Sequence, residues 1–252
     1  MNGQLTQLLK ELHLPMFRDY YREFAQKAIA DELGYEEYLH ELAIRESEHR
    51  RTNMIERLLK TSKLPLEKTL QTFEQDRVPI KIRRQLKVLC GGEFAQHSEN
   101  ILAFGKPGSG KTHLLCGICH ELVKQGMKVY FATCDLMVQE LLRAKEELLL
   151  DKLLKKLSKF DVLMLDDFGY VKQNRDEMEV LFTLLAHRYE RGSVLITSNL
   201  PFSKWDMIFK DPMTTAAAID RLVHHSVILE LNVPSYRAQQ AQKRKEQEES
   251  QV

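Results

Sequence analysis

The chain has 252 residues, of which 43% are hydrophobic and 29% are charged, and its formal net charge is +1. This composition is typical of a globular, soluble protein. No apolar run approaches the roughly 20 residues that a membrane span needs, and the N-terminus lacks a signal-peptide pattern. We therefore expect a cytoplasmic protein without a membrane partner.

The first 98 residues are predicted to be helical throughout. Apolar side chains recur at helical spacing over 5–12, over 17–28 and from 35 past 59. Breaks are expected near Pro15 and at 63–65. The predicted divisions are an all-α N-terminal domain for DNA or partner binding (1–78), a nucleotide-binding domain (79–236) and a polar tail (237–252).

Charge is unevenly distributed along the N-terminal part. Residues 1–42 contain 4 basic and 8 acidic residues, whereas residues 43–88 contain 12 basic and 6 acidic ones. On the third helix, basic residues follow one polar stripe. The stripe is either a solvated face or a contact to nucleic-acid phosphates. The stripe contains Arg50, Arg57 and Lys60, and the candidate DNA contacts on this helix are Arg50, Arg51, Arg57 and Lys60.

A glycine-rich loop follows the next apolar strand. Residues 105–112 satisfy the pattern G-x-x-x-x-G-K-[ST], with a strand before them and a helix after them. Such a loop turns backbone N–H groups toward phosphates, its lysine reaches the β- and γ-phosphates, and its hydroxyl binds Mg²⁺. The predicted ATP-binding residues are Gly105, Lys106, Pro107, Gly108, Ser109, Gly110, Lys111, Thr112 and His113.

From residue 99 onward the pattern alternates between strands and helices. Strands are predicted at 101–104, 128–132, 161–165, 193–197 and 227–231, which indicates an α/β fold with a parallel five-stranded sheet and helices on both faces. The connection 135–159 has room for two helices. It is either an ordinary crossover or an inserted helical hairpin that contacts DNA or a neighbouring subunit, with Arg143 and Lys145 as candidate DNA contacts.

Two strands of this sheet end in polar residues. Asp166 and Asp167 follow one buried strand, and Asn199 follows the next. Ligands bind at the carboxyl ends of strands in open α/β sheets. We expect Asp166, with Thr112, to bind Mg²⁺, and Asp167 to orient or deprotonate the attacking water. Asn199 either binds this water or the γ-phosphate, or only begins a turn before Pro201.

The cysteines and histidines show no metal-binding pattern. Cys116 and Cys119 are interpreted as buried thiols, because no second pair completes a zinc site. The nine histidines lack metal-ligand spacing. On a helix, the adjacent His224 and His225 would point to different faces.

The order of phosphate loop, Asp-Asp strand, strand ending in Asn and helix carrying Arg resembles the AAA+ ATPases. The resemblance implies that Asn199 is the sensor 1 residue. It also implies that Arg221 is an arginine finger for the γ-phosphate in a neighbouring subunit, so that the site forms only on assembly. The alternative is an ion pair of Arg221 with Asp220 or Glu230 within the fold.

Longer motifs resemble the IstB family, ATPase helper proteins of insertion-sequence transposition that are akin to the DnaC helicase loaders. The resemblance covers roughly residues 1–240. It implies an ATPase that self-assembles on duplex DNA and assists the transposase of the same element. The motifs are Gly-Lys-Thr-His-Leu at 110–114, Asp-Asp-Phe-Gly-Tyr at 166–170, Arg-Tyr-Glu-Arg-Gly-Ser at 188–193, Thr-Ser-Asn-Leu-Pro-Phe at 197–202, Trp205, Asp-Arg-Leu-Val-His-His at 220–225 and Ser-Tyr-Arg at 235–237.

Two positions depart from that family pattern. Asp167 stands where the family usually has Glu, and one methylene less is expected to weaken catalysis without abolishing it. Residues 232–234 lack the usual Gly before Ser-Tyr-Arg, which leaves the role of Arg237 open. The competing functions are a helicase-loading adaptor, which would bind a helicase through its N-terminal part, and a metabolic P-loop kinase, which would need a lid with several arginines.

Overall fold

The computed structural model describes residues 2–169, 175–205, 212–236 and 239. Its contacts divide the chain into two units, Met1–Arg57 and Leu58–Val252. The predicted domain boundary at 78 thus lies 21 residues beyond the division that the contacts give. The division into domains at 78 stays a prediction. The predicted polar tail falls almost wholly outside the described residues.

The N-terminal unit is built from helices. Its buried hydrophobic residues include Leu9, Ala28 and Leu42. The carboxylate of Glu46 is also buried, and it accepts hydrogen bonds from the Met16 backbone N–H at 2.9 Å and the Arg50 side chain at 2.8 Å. The helices are α1 (Asn2–Glu11), α2 (Pro15–Ala30) and α3 (Tyr35–Ser62); the end of α3 extends into the second unit.

Residues 63–79 form turns and one 3₁₀ turn, Gln75–Arg77, so the prediction of helix throughout 1–98 is wrong for this segment. The predicted break at 63–65 is confirmed, because Lys63 has a φ of 58° and α3 ends just before it. This segment is held in place by long-range contacts and not by the backbone hydrogen bonds of a helix. Residues 63–79, the strap, pack against the nucleotide-binding fold.

The second unit contains a five-stranded sheet in the order β2-β3-β4-β1-β5, and every neighbouring pair is parallel. All five predicted strands are confirmed to within a residue at each end. The strands are β1 (Asn100–Gly105), β2 (Val129–Thr133), β3 (Val162–Asp166), β4 (Ser193–Ser198) and β5 (Ser226–Leu231). The helices are α4 (Ile80–Leu89), α5 (Glu93–Gln96), α6 (Lys111–Lys124), α7 (Cys134–Glu146), α8 (Leu150–Leu157), α9 (Arg175–Arg188) and α10 (Pro212–Val223).

Helices cover both faces of the sheet, as predicted. Alternate strand residues such as Leu163 and Leu165 join a buried cluster with side chains of α7, α8, α9 and α10. Met164 lies on the other face, where its sulfur is within 4.0 Å of the Cys116 and Cys119 thiols of α6. Burial raises the pKa of Cys116 to about 12. These two cysteines are therefore buried core thiols, as predicted.

The crossover between β2 and β3 holds two helices, α7 and α8, in agreement with the sequence prediction. Leu148 lies at the tip between them with a φ of 58° and is 92% exposed. Among the described residues, no helix has the length and apolar character needed to cross a bilayer.

Candidate active site

The carboxyl ends of β1, β3 and β4 converge on one cavity of about 400 Å³. Parallel pairing aligns these ends, because Phe104 of β1 is in register with Ser198 of β4. The cavity is lined by the phosphate loop from Pro107 to His113, by Asp166, Asp167 and Asn199, and by residues of the strap and of the chain after β5. The structure brings these groups together at one edge of the sheet.

The phosphate loop requires glycine at two of its turns. Gly110 caps α6 with a left-handed φ of 95°, and Gly108 has a φ of 79°. L-residues with a side chain rarely adopt such angles. A Cβ at Gly108 would also collide with the Ser235 hydroxyl, and one at Gly110 would lie 3.1 Å from the Phe73 ring. The chain is therefore packed closely around the loop on two sides.

Lys111 and Ser109 have the surroundings expected of phosphate ligands. The Lys111 side chain is 6% exposed, and its Nζ donates to the carbonyls of Gly105 at 2.9 Å and Lys106 at 3.1 Å. The Ser109 hydroxyl is buried without a hydrogen-bond partner. A buried ammonium and an unsatisfied hydroxyl next to the start of a helix fit an anion well.

Asp166 is fixed at the end of β3 by two hydroxyl groups. Its Oδ1 accepts from Thr112 Oγ1 at 2.7 Å and from Thr197 Oγ1 at 2.5 Å, and the residue is 5% exposed. A buried carboxylate beside a threonine hydroxyl is a donor set that suits Mg²⁺. Thr197 was missed by sequence reasoning, although its place two residues before Asn199 at the end of an apolar strand could have indicated it.

Asp167 and Asn199 are exposed at the opening of the cavity. Asp167 has a φ of 56°, and its backbone N–H donates to Thr197 Oγ1 at 2.9 Å. Thr197 thus connects the buried carboxylate with the backbone of the exposed one. Water can therefore reach the exposed Asp167, whereas Asp166 is buried.

The strap supplies part of the cavity wall that sequence reasoning missed. Lys68, Thr72, Phe73 and Arg77 line it, together with Tyr236 from beyond β5. The Arg77 guanidinium lies 4.9 Å from the centroid of the Tyr236 ring and donates to the carbonyl of Pro234 at 3.0 Å. The Tyr236 N–H donates to the Gly108 carbonyl at 2.8 Å, which attaches this wall to the phosphate loop.

His113, predicted to bind nucleotide, lines the cavity but is engaged by the strap. Its Nε2 lies 2.9 Å from the Thr69 carbonyl and 3.0 Å from Thr72 Oγ1, and its ring packs edge-on against Phe73. Burial lowers the pKa of His113 below its ordinary value. His113 thus contacts the strap through its imidazole ring, and a contact of His113 with nucleotide stays a prediction.

Arg221 does not line the cavity of its own chain. Its guanidinium stacks 4.8 Å from the centroid of the Phe182 ring, and it donates to the Ala217 carbonyl at 3.3 Å. Among the described residues, no ion pair joins it to Asp220 or Glu230, which were the alternative partners. Its role as an arginine finger for a neighbouring subunit stays a prediction.

The candidate DNA contacts differ in their surroundings. Arg51, Arg57 and Lys60 are exposed on α3, while Arg50 donates to Glu46 and to the His13 carbonyl. On α7, Arg143 is exposed. Lys145 forms ion pairs with Asp176 at 3.5 Å and Glu179 at 3.0 Å, so its charge is already balanced by α9. Arg237 lies outside the described residues.

A family model described as IstB-like ATP binding protein matches residues 7–244 of the chain. The chain is 41% identical over 244 residues to a protein of Sinorhizobium fredii, with 96% of this chain and 82% of the relative covered. It is 35% identical over 251 residues, the full length of both, to a protein of insertion sequence IS5376 from Geobacillus stearothermophilus. The names of both relatives describe them, provisionally, as insertion-sequence ATP-binding proteins.

Solved structures resemble about two thirds of the chain. The crystal structure of the DnaC helicase loader matches with a TM-score of 0.57 at 20% identity, covering 66% of this chain and 97% of that one. The AMPPCP-bound DnaA of Aquifex aeolicus matches with a TM-score of 0.57 at 18% identity, covering 68% and 51%. At these identities the likeness concerns the fold, which is the AAA+ P-loop fold that the order of motifs predicted.

Proposed function

The chain belongs to the family of IstB-like ATP binding proteins, and from this membership we propose that it assembles on duplex DNA when ATP is bound and assists a transposase. It is an ATPase of the AAA+ class. Its relatives carry names from insertion sequences, which supports a transposase of the same element as the partner. The likeness to the DnaC helicase loader extends to the fold and does not favour helicase loading.

In the proposed reaction, each group of the cavity has one task. The loop amides and Lys111 bind the β- and γ-phosphates. Thr112 and Asp166 would hold Mg²⁺, which when bound neutralises charge on the phosphate oxygens. Asp167, at the opening of the cavity, accepts a proton from the attacking water, and Asn199 orients that water. The hydroxyl of Thr197 keeps the two aspartates in register through its bonds to both.

The position of Arg221 carries the proposal that catalysis depends on assembly. Its guanidinium lies against Phe182, outside the cavity of its own chain. A guanidinium delivered to the γ-phosphate stabilises charge in the transition state of phosphoryl transfer. We therefore assign Arg221 to the cavity of a neighbouring copy, so that hydrolysis begins when two copies meet and later releases the assembly.

DNA binding is proposed for the exposed basic residues of α3 and of the α7–α8 hairpin. Arg51, Arg57 and Lys60 are exposed on the former. Exposed lysines of the hairpin border one open depression next to Leu148. Such contacts bind phosphates without reading sequence. The lysines are Lys152, Lys155, Lys156 and Lys159.

The test is a mass measurement of the protein with duplex DNA, with and without a non-hydrolysable ATP analogue. We expect assemblies of several copies on the DNA when the analogue is present and single copies when it is absent. The Lys111→Ala variant is the matched control and should remain a single copy in both conditions. A mass that does not change with nucleotide would contradict the proposal.

A further inference from the structure

Two motifs of the family resemblance lie outside the nucleotide cavity of their own chain. Residues 188–193 end α9 and enter β4, and residues 220–225 end α10 and enter β5. Both turns lie at the amino ends of parallel strands, at the edge of the sheet opposite the phosphate loop. Arg221 aside, the polar side chains of these turns have no task in the proposed reaction with ATP.

These turns bring Glu190, His224 and His225 together. Within the parts of the chain that the structure describes, they are the one set of three metal-binding side chains whose ligand atoms gather, all within 4.8 Å of one another. Because α10 ends at Val223, the two histidines lie in a turn and not on opposite helix faces, and their ring centroids are 4.1 Å apart. We propose that Glu190, His224 and His225 form a binding site for a divalent transition-metal ion of the zinc class.

The ligand atoms need to move only slightly closer together to bind one ion. Tetrahedral Zn²⁺ with bonds of about 2.1 Å holds its ligand atoms about 3.4 Å apart. All three side chains are exposed, so rotations of their outer bonds can bring the ligand atoms from 4.8 Å to that separation. Water completes the coordination, as is usual where three side chains bind an accessible zinc ion.

Tyr189 provides a partner that orients one ligand. Its hydroxyl lies 3.0 Å from Nδ1 of His224. A histidine that binds a metal through one nitrogen normally donates a hydrogen bond from the other. The Tyr189 oxygen can accept this bond from Nδ1, which leaves Nε2 of His224 as the nitrogen that binds the ion.

Asn100 fixes the two turns relative to each other. Its side-chain amide donates to the Leu222 carbonyl at 3.1 Å, and its side-chain oxygen accepts from the Val194 N–H at 2.8 Å. Its backbone N–H donates to the His225 carbonyl at 2.7 Å. The residue is buried, so the backbones on both sides of the cluster are held at a constant separation. A preorganised backbone reduces the ordering that metal binding requires.

The ligand set separates this site from the Mg²⁺ of the nucleotide cavity. Two imidazoles and one carboxylate suit zinc and neighbouring transition metals, whereas Mg²⁺ prefers oxygen ligands alone. An ion bound here would connect the end of α9 to the end of α10, the helix that carries Arg221. Binding should therefore stabilise the fold without any nucleotide.

The experiment is calorimetric titration of the full chain with Zn²⁺, without nucleotide and without Mg²⁺. We expect binding of one ion per chain and a rise in Tm that a chelator reverses. The combined change His224→Ala and His225→Ala should abolish both effects, and Glu190→Gln should weaken binding while preserving the shape of the turn. Tyr189→Phe should weaken it by about tenfold, the lower range for loss of a bond to a ligand.

The matched control is His97→Ala, which removes an exposed histidine outside the proposed ligand set and should bind Zn²⁺ like the unchanged chain. Metal-free melting of every variant checks that the fold is retained. Binding that survives the double histidine change, or that His97→Ala weakens equally, would overturn the site. Hydrolysis of ATP is not part of the readout, so the outcome is independent of the proposed assembly.

Discussion

Replacement of Arg221 by alanine separates a structural role from a catalytic one. The contacts that the side chain makes are its stack on Phe182 at 4.8 Å and its bond to the Ala217 carbonyl within its own helix. A partly exposed cation–π contact contributes about 0.5–1 kcal/mol. For a domain of this size, its loss would lower Tm by at most about 4 °C. Stability should thus be almost unchanged.

The catalytic effect of the same change should be much larger. An arginine finger contributes a factor of about 10³–10⁵ to the rate of phosphoryl transfer. This factor corresponds to about 4–7 kcal/mol of transition-state stabilisation. Arg221→Ala should therefore retain ATP binding, because the residue is outside its own cavity, but lose hydrolysis. Arg84→Ala, which removes an exposed arginine of α4, is the matched control and should keep full activity.

Mixing experiments test whether Arg221 acts on a neighbouring copy. Asp167→Asn should be inactive in its own cavity but still present Arg221 to the next one. In an equal mixture with Arg221→Ala, random head-to-tail assembly gives about a quarter of the interfaces an intact cavity and an intact finger. Phosphate release by the mixture should exceed that of either variant alone. No recovery at any ratio, or a fall in Tm well beyond the limit above, would refute the assignment.

Three further substitutions test the site, the fold and the DNA contacts. Lys111→Ala should abolish ATP binding measured with a fluorescent nucleotide, and normal hydrolysis would disprove the site. Arg188→Met should lower the free energy of unfolding by about 3 kcal/mol or more, because buried carbonyls lose their donor; an unchanged urea midpoint would contradict this. Changing Arg57 and Lys60 together to Glu should weaken DNA binding and reduce the salt slope of log K by about 0.9 per lost phosphate contact. An unchanged slope would make the stripe a solvated face.

Arg188 belongs to a family motif that the sequence reveals, but its structural role is visible only in the fold. Its side chain is 1% exposed and donates to the carbonyls of Leu157, Phe160, Asp161 and Ser193. Burial lowers its pKa to about 10. A Cβ at Gly192 would collide with this guanidinium. The motif therefore closes the turn between α9 and β4, a role that only the three-dimensional contacts reveal.

The sheet and the phosphate site could be predicted because their signals are local. Each strand is a short apolar run, and the loop pattern has fixed spacing. The strap could not be predicted in this way. Leu70 packs so closely on α6 that a Cβ at Gly117 would lie 2.5 Å from its side chain. Nε2 of His120 lies 3.0 Å from the Pro65 carbonyl. Contacts between residues about fifty positions apart replace helical bonds here, and no local pattern encodes them.

The histidine pair failed as a prediction for a different reason. Its separation onto two faces assumed a helix that continues through 224–225, but the helix stops one residue earlier. In a turn, neighbouring side chains can lie on the same side, as these rings do. Errors of one or two residues in a helix end are common. At a site made of adjacent residues, such an error changes which groups meet.

The phosphate loop depends on chain segments that its own motif does not include. Phe73 lies against Gly110 from one side, and the Tyr236 N–H bonds to the Gly108 carbonyl from the other. Arg77 joins these two segments across the cavity by its stack on Tyr236. Phosphates that bind to the loop must therefore either fit between these segments or displace them. Because the strap follows α3 directly in the chain, the wall of the cavity includes the segment that connects the N-terminal helices to the nucleotide-binding fold.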